Sequence, residues 1–196
     1  PTRVRRMQQL FELTEREGLP PIFQLFIPAD NALAERFVDD RRVALLSFTG
    51  STAVGRKVGQ RIAARLGRSL LELGGNNGLI VDEFANLDLV VPAVVFGSVG
   101  TAGQRCTSTR RLFVHQSRVA ELERRLVAAY RQVRIGNPLD PQVLMGPLVD
   151  AAAVRRYEAA IADVRSQGGE ILCGGHPLPG PGYFVEPAIV RARNDM

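Results

Sequence analysis

The stretch from Val43 to Gly75 constrains the fold more than any other part of this chain. Val43 to Ser47 has the composition of a strand, and Gly50 opens a turn. Ser51 to Leu66 then carries Val54, Val58, Ile62 and Leu66 at i+4 spacing, which predicts a helix with one apolar face. Gly55 and Gly59 lie beside that stripe, where missing side chains let a helix approach a sheet closely. Ser69 to Leu73 reads as the next strand and ends at Gly74-Gly75. Strand, helix and strand in succession put the chain in the α/β class with a largely parallel sheet.

The flanking segments continue the alternation. Thr2 to Glu17 is a helix candidate, with apolar Val4, Met7, Leu10 and Phe11 and the stop signal Gly18-Leu19-Pro20-Pro21. Ile22 to Phe26 is expected to be a strand, and Asp30 to cap a helix running through Phe37. Leu79 to Val81 is a short strand, and Leu87 to about Gly100 a helix interrupted by Pro92. Arg111 to His115 is a strand, Ser117 to Val133 a helix, and a loop to Asp150 leads into a helix through Ser166. The tail from Gly168 to Val190 carries short strands around the turn-rich stretch Gly174 to Gly182. A domain boundary is expected at Leu73 to Gly75.

Bulk properties exclude several functions. A hydrophobic content of 45% with 23% charged residues is ordinary for a water-soluble globular chain of 196 residues. The longest uncharged, mostly apolar run, Leu89 to Val99, is too short to span a bilayer. No basic-then-apolar leader is present, so the expected address is the cytoplasm, with no membrane partner. The net charge is +5, but the basic residues, all arginine except Lys57, are dispersed among acids with few aromatics between them. That pattern describes a solvated surface and argues against a nucleic-acid partner. Cys106 and Cys173 form no disulfide framework, and His115 and His176 stand far apart, so no metal site is expected.

Two segments carry chemistry. Cys106 follows Gly97, Gly100 and Gly103, and Arg105 and Arg110 beside it are placed to hold a thiolate, the nucleophilic form of cysteine. A buried structural cysteine is the competing description, and it fits Cys173, in Ile171-Leu172-Cys173, better. Glu72 lies in Leu70-Leu71-Glu72-Leu73. If that strand is buried, the carboxyl pKa rises toward the range of a general base; the alternative is a solvated edge acid. The turn Phe48-Thr49-Gly50-Ser51-Thr52-Ala53-Val54-Gly55 lacks the G-x-G-x-x-G pattern, yet a helix opening after a glycine turn offers N–H groups to phosphate.

These segments together resemble the NAD(P)-dependent aldehyde dehydrogenase superfamily. The resemblance rests on the turn at 48–55, on Glu72-Leu73-Gly74-Gly75, and on Gly103-Gln104-Arg105-Cys106, thirty-four positions after Glu72. It extends to Gly146-Pro147, Gly174-Gly175 and Gly182-Tyr183-Phe184-Val185-Glu186-Pro187. Glu72 through Asn77 and Val99 through Thr107 are most similar to the antiquitin group, which oxidises α-aminoadipic semialdehyde in lysine breakdown. The resemblance implies part of a Rossmann-type coenzyme domain over residues 1–73, followed over 74–196 by part of an α/β catalytic domain.

It also implies roles. Cys106 is the nucleophile and Glu72 the base that activates the deacylating water. The coenzyme is NAD, with NADP the alternative. Ser51 meets the pyrophosphate and Val54 the adenine, Thr49, Leu73 and Gly74 border the nicotinamide, and Gly50 and Gly55 belong to the same turn. The partner is a small aldehyde, and the full-length enzyme is a homo-oligomer.

Several family segments fall outside these residues. They are the oxyanion-hole asparagine, the lysine and acid that hold the ribose, a glutamate-phenylalanine-glycine-proline segment and the oligomerising arm. The expectation is therefore the middle of such an enzyme. A non-catalytic truncated remnant is the competing possibility. A coenzyme-free thiol acyltransferase or hydrolase is a third, and it would need a histidine partner that no motif supplies.

Overall fold

Each predicted helix forms, and most are closed by a side chain that the local sequence supplies. The computed structural model describes residues 2–20, 22–28, 30–193 and 195, without the side chains of residues 2–5 and 7. The expected apolar contributions of Val4 and Met7, and the stop residue Pro21, therefore lie outside the described residues. Helix α1 spans Thr2–Arg16 and ends at Gly18, whose φ of +62° turns the chain out of the helix. Helix α2, Asn31–Asp39, is capped by Asp30, which accepts from the Ala32 N–H at 2.9 Å.

The next elements follow the expected order. They are β1 (Leu45–Thr49), α3 (Thr52–Ala64), β2 (Arg68–Glu72), β3 (Asn77–Val81) and α4 (Leu87–Val99). After them come β4 (Thr109–Val114), α5 (Val119–Tyr130), α6 (Ala151–Ser166), β5 (Glu170–Cys173) and β6 (Ile189–Arg191). Pro92 stays inside α4 without splitting it, although it removes one backbone hydrogen bond from the helix.

The chain divides into two compact units, Pro1–Glu72 and Leu73–Met196. In the first, β1 pairs in parallel with β2, and α3 provides the connection between them. Its core is Val38, Leu46, Val58 and Ile62, with Val43, Phe48 and Leu71 packed around them. A Cβ built on Gly59 would stand 3.2 Å from Leu71 Cδ1, so the glycine lets α3 sit directly on β2. In the second unit β3 pairs in parallel with β4, and β5 pairs antiparallel with β6. Its interior is built on Val81, Leu87, Val94, Leu122 and Leu126, and on Val99, Tyr130, Met145 and Val185. Among the described residues no helix is long and apolar enough to cross a membrane.

Two expectations are corrected. Ile22 to Phe26 is not a strand: its apolar side chains are exposed, and no described strand pairs with it. β-forming composition gives an extended chain, but a strand needs a neighbour's backbone groups. The buried face of α3 is Gly55, Val58 and Ile62, not the whole stripe from Val54 to Leu66. Leu66 is 95% exposed with φ +60°, because the helix has already ended at Ala64. Val54, at the other end, is 47% exposed.

Candidate active site

In the first unit, the candidate residues converge at the carboxyl ends of two parallel strands. The β1–β2 register sets Thr49 opposite Glu72, and one step further the Gly50 N–H donates to the Glu72 carbonyl at 3.0 Å. The chain then enters α3 through Ser51, whose Oγ accepts from the Val54 N–H at 3.3 Å. The outer edge beyond the carboxyl ends of parallel strands is where α/β sheets bind ligands.

The start of α3 fits a phosphate group. Thr52 and Ala53 N–H, in the first turn, have no partner among the described residues, and no acidic side chain occupies that turn. Thr49, Gly50, Ser51 and Val54 are all exposed there. Gly55 is not: it is buried, and its N–H is used on the Ser51 carbonyl at 2.8 Å, which makes it a packing position.

Glu72 departs from the sequence expectation. It is exposed, because β2 packs only one face, through half-buried Leu71, and leaves the other open.

In the second unit, Cys106 projects from a turn between a strained loop and β4. Thr101, Ala102 and Gly103 adopt φ of +56°, +52° and +68° in succession. For the two residues with a Cβ this costs about 1–2 kcal/mol each, so the loop persists only because its surroundings hold it. Gln104 does much of this. Its backbone N–H and its Nε2 both donate to the Thr101 carbonyl, at 3.0 and 3.2 Å. The same Nε2 donates to the Pro147 carbonyl, and Oε1 accepts from the Val149 N–H.

Ser108, 1% exposed, closes the turn. Its Oγ accepts from the Arg105 N–H at 3.1 Å while its own N–H donates to the Arg105 carbonyl at 3.2 Å. Cys106 stands between these bonds, its side chain exposed. Its backbone N–H has no acceptor among the described residues.

The arginines flanking the thiol have a different job from the one expected. Arg105 donates to the Phe96 carbonyl at 2.6 Å and lies over the Phe96 ring at 4.9 Å. It fills the space beside Gly100, where a Cβ would meet its guanidinium at 2.6 Å. Arg110 donates to the Gly103 carbonyl at 3.1 Å. Arg110 thus braces the loop at one of its own carbonyls, because curled backbone leaves acceptors that must be satisfied, while Arg105 ties the segment to the end of α4.

The segment after Glu72 also belongs here. Leu73 is half-buried and Gly74 exposed. A Cβ on Gly75 would come within 2.8 Å of the Cys106 carbonyl oxygen, so a glycine is required at the second position of the pair. Asn77 reaches the same loop with its amide. Cys173, by contrast, is half-buried, and burial pushes its thiol above the usual range. Among the described residues no group of three or more histidine, cysteine, aspartate or glutamate side chains is placed to hold a metal ion.

The profile of the aldehyde dehydrogenase family matches residues 4–196. The chain belongs to the aldehyde dehydrogenase family. It is 54% identical over 151 residues to α-aminoadipic semialdehyde dehydrogenase of Mus musculus, covering 77% of this chain and 28% of that enzyme. The structure of HpcC from Thermus thermophilus superimposes with a TM-score of 0.88 at 28% identity, over 96% of this chain and 38% of that one. PnpE, solved in complex with nicotinamide adenine dinucleotide, gives a TM-score of 0.78 at 33% identity, over 81% of this chain and 34% of that one. The chain thus spans well under half the length of these family members. The likeness to the antiquitin group seen in Asn76-Asn77 and Thr101-Ala102 agrees with the mouse relative.

Proposed function

We propose that this chain carries the nucleophile and the general base of a coenzyme-dependent aldehyde oxidation, with α-aminoadipic semialdehyde as substrate and NAD as coenzyme. The observation that carries the proposal is Cys106 itself: an exposed thiol on a strained, braced loop, with its own backbone N–H free beside it. The family, its mouse relative and the NAD-bound neighbour support the substrate and coenzyme assignments.

In this mechanism the Cys106 thiolate attacks the aldehyde carbon, and the carbonyl π electrons move to oxygen. The oxyanion of the resulting thiohemiacetal needs hydrogen-bond donors, and the free Cys106 N–H supplies one within reach of its own side chain. Ser51 and the first-turn N–H groups of α3, with Val54, Gly50 and Thr49 around them, would hold the coenzyme, which would supply the hydride acceptor. Loss of hydride from the thiohemiacetal carbon leaves a thioester on Cys106. The Glu72 carboxylate then takes a proton from water, whose oxygen attacks the thioester carbon. The C–S bond breaks, the carboxylic acid leaves, and the thiolate is restored.

Exposure on one face of β2 suits Glu72 to this role, since its carboxylate meets water directly. The test is NADH formation from α-aminoadipic semialdehyde by the complete gene product and by its Cys106→Ser variant. The proposal predicts turnover in the parent and its loss in the variant. Parental rates in Cys106→Ser would remove Cys106 from the chemistry.

A further inference from the structure

The two peptide groups flanking Cys106 are held from different sides, and only one of the holds comes from the cysteine's own turn. The peptide before it is fixed by Ser108, whose N–H donates to the Arg105 carbonyl at 3.2 Å. The peptide after it is fixed from another strand. Asn77, the first residue of β3, donates through Nδ2 to the Cys106 carbonyl at 2.7 Å and through the same atom to the Ser108 carbonyl at 3.0 Å.

The strand ladder is built around this reach. The β3–β4 register shifts between Asn77, opposite Thr109, and Gly78, opposite Arg111, so β4 bulges at the point where the Asn77 side chain enters the turn. Bulges of this kind re-aim side chains and backbone. Gly75 lets the preceding chain lie against the same carbonyl, and Arg111 donates to the Asn76 carbonyl at 2.8 Å, holding the other side of the segment.

From this geometry we infer that Asn77 is a positioning residue for the nucleophile: its amide sets the peptide plane after Cys106 and, with Ser108, the direction of the Cys106 side chain and backbone N–H. This rests on the proposal that Cys106 is the nucleophile. With both flanking planes fixed, rotation about the Cys106 backbone is arrested, and the thiol and its N–H keep one mutual orientation. An amide suits this task because one NH₂ group serves two carbonyl oxygens. A carboxylate of the same shape would instead face two acceptors.

Asn77→Ala and Asn77→Asp, made in the complete gene product, separate positioning from simple filling of space. Both should slow acylation, read as the rate of the first NADH turnover, by about tenfold to a hundredfold. The Michaelis constant for coenzyme should stay within twofold of the parent. Asp should be at least as damaging as Ala. Independently of activity, amide hydrogen exchange at residues 105–108 should accelerate roughly fivefold in both variants, as expected when one hydrogen bond is lost.

Asn77→Asp with parental acylation and exchange rates would overturn the inference, since shape alone would then suffice. Unchanged exchange with slowed acylation would overturn it as well. If the parent itself gives no aldehyde-dependent NADH while exchange accelerates in the variants, the clamp stands and the proposed function fails.

Discussion

Cys106 and Cys173 differ in exposure, which governs access to a thiol. Cys106 is exposed, whereas Cys173 is half-buried with its pKa raised chiefly by desolvation, which depletes the reactive thiolate. Iodoacetamide at neutral pH should therefore label Cys106 first in the folded protein, as read by peptide mass mapping. Faster labelling of Cys173 would count against the nucleophile assignment. Much at this scale is legible in the sequence. A cysteine behind three glycines marks an open loop, and a serine at the head of an apolar-periodic segment marks a cap. The exposure of Glu72 is not legible, because it depends on what covers the second face of β2. Nor are the roles of Asn77, Gln104 and Ser108. Their partners lie across loops, and the only sequence signal is an amide or hydroxyl side chain crowded against the glycine-rich segments. The same holds for Arg105 and Arg110, whose charge suggests a thiolate partner while their hydrogen bonds go to carbonyls.

Helix α6 is fastened to the tail by one hydroxyl. Tyr157 donates to the Glu186 carbonyl at 2.5 Å and accepts from the Gly175 N–H at 2.9 Å. Tyr157→Phe leaves both groups without that partner and should cost about 1–3 kcal/mol, measured by urea unfolding. Burial, the largest cause, raises the Tyr157 pKa from 10.0 to about 12. The folded state thus holds this proton more tightly than the unfolded chain. Its contribution to stability is complete below pH 10 and declines as pH climbs toward about 12. Stability curves across that window should be flatter in Tyr157→Phe, and identical slopes in the two proteins would contradict this account. Helices are the more legible elements, since Asp30, Ser51 and Asp150 supply caps at their expected starts. Strands are less so: Val43 to Ser47 is displaced to Leu45–Thr49, and Ile22 to Phe26 finds no partner. A helix closes its hydrogen bonds locally, while a strand is decided by a distant neighbour.

For the molecule as a whole, the alternating order of helices and strands points directly to the α/β class. The number of strands per sheet cannot be read the same way, because pairing is long-range. The strands form three two-stranded sheets among the described residues. The division after Glu72 falls in the chain between the proposed base and the glycine pair leading toward the loop of the proposed nucleophile. In the proposed function the labour is divided: Cys106 is acylated, and Glu72 clears the acyl group. Stopped-flow recording of NADH in Glu72→Gln, made in the complete gene product and mixed with NAD and α-aminoadipic semialdehyde, tests it most directly. A first-turnover burst at close to the parental rate is expected, followed by steady-state turnover slowed by about two to four powers of ten. Equal loss of burst and steady state would contradict it and place Glu72 in acylation or in structure.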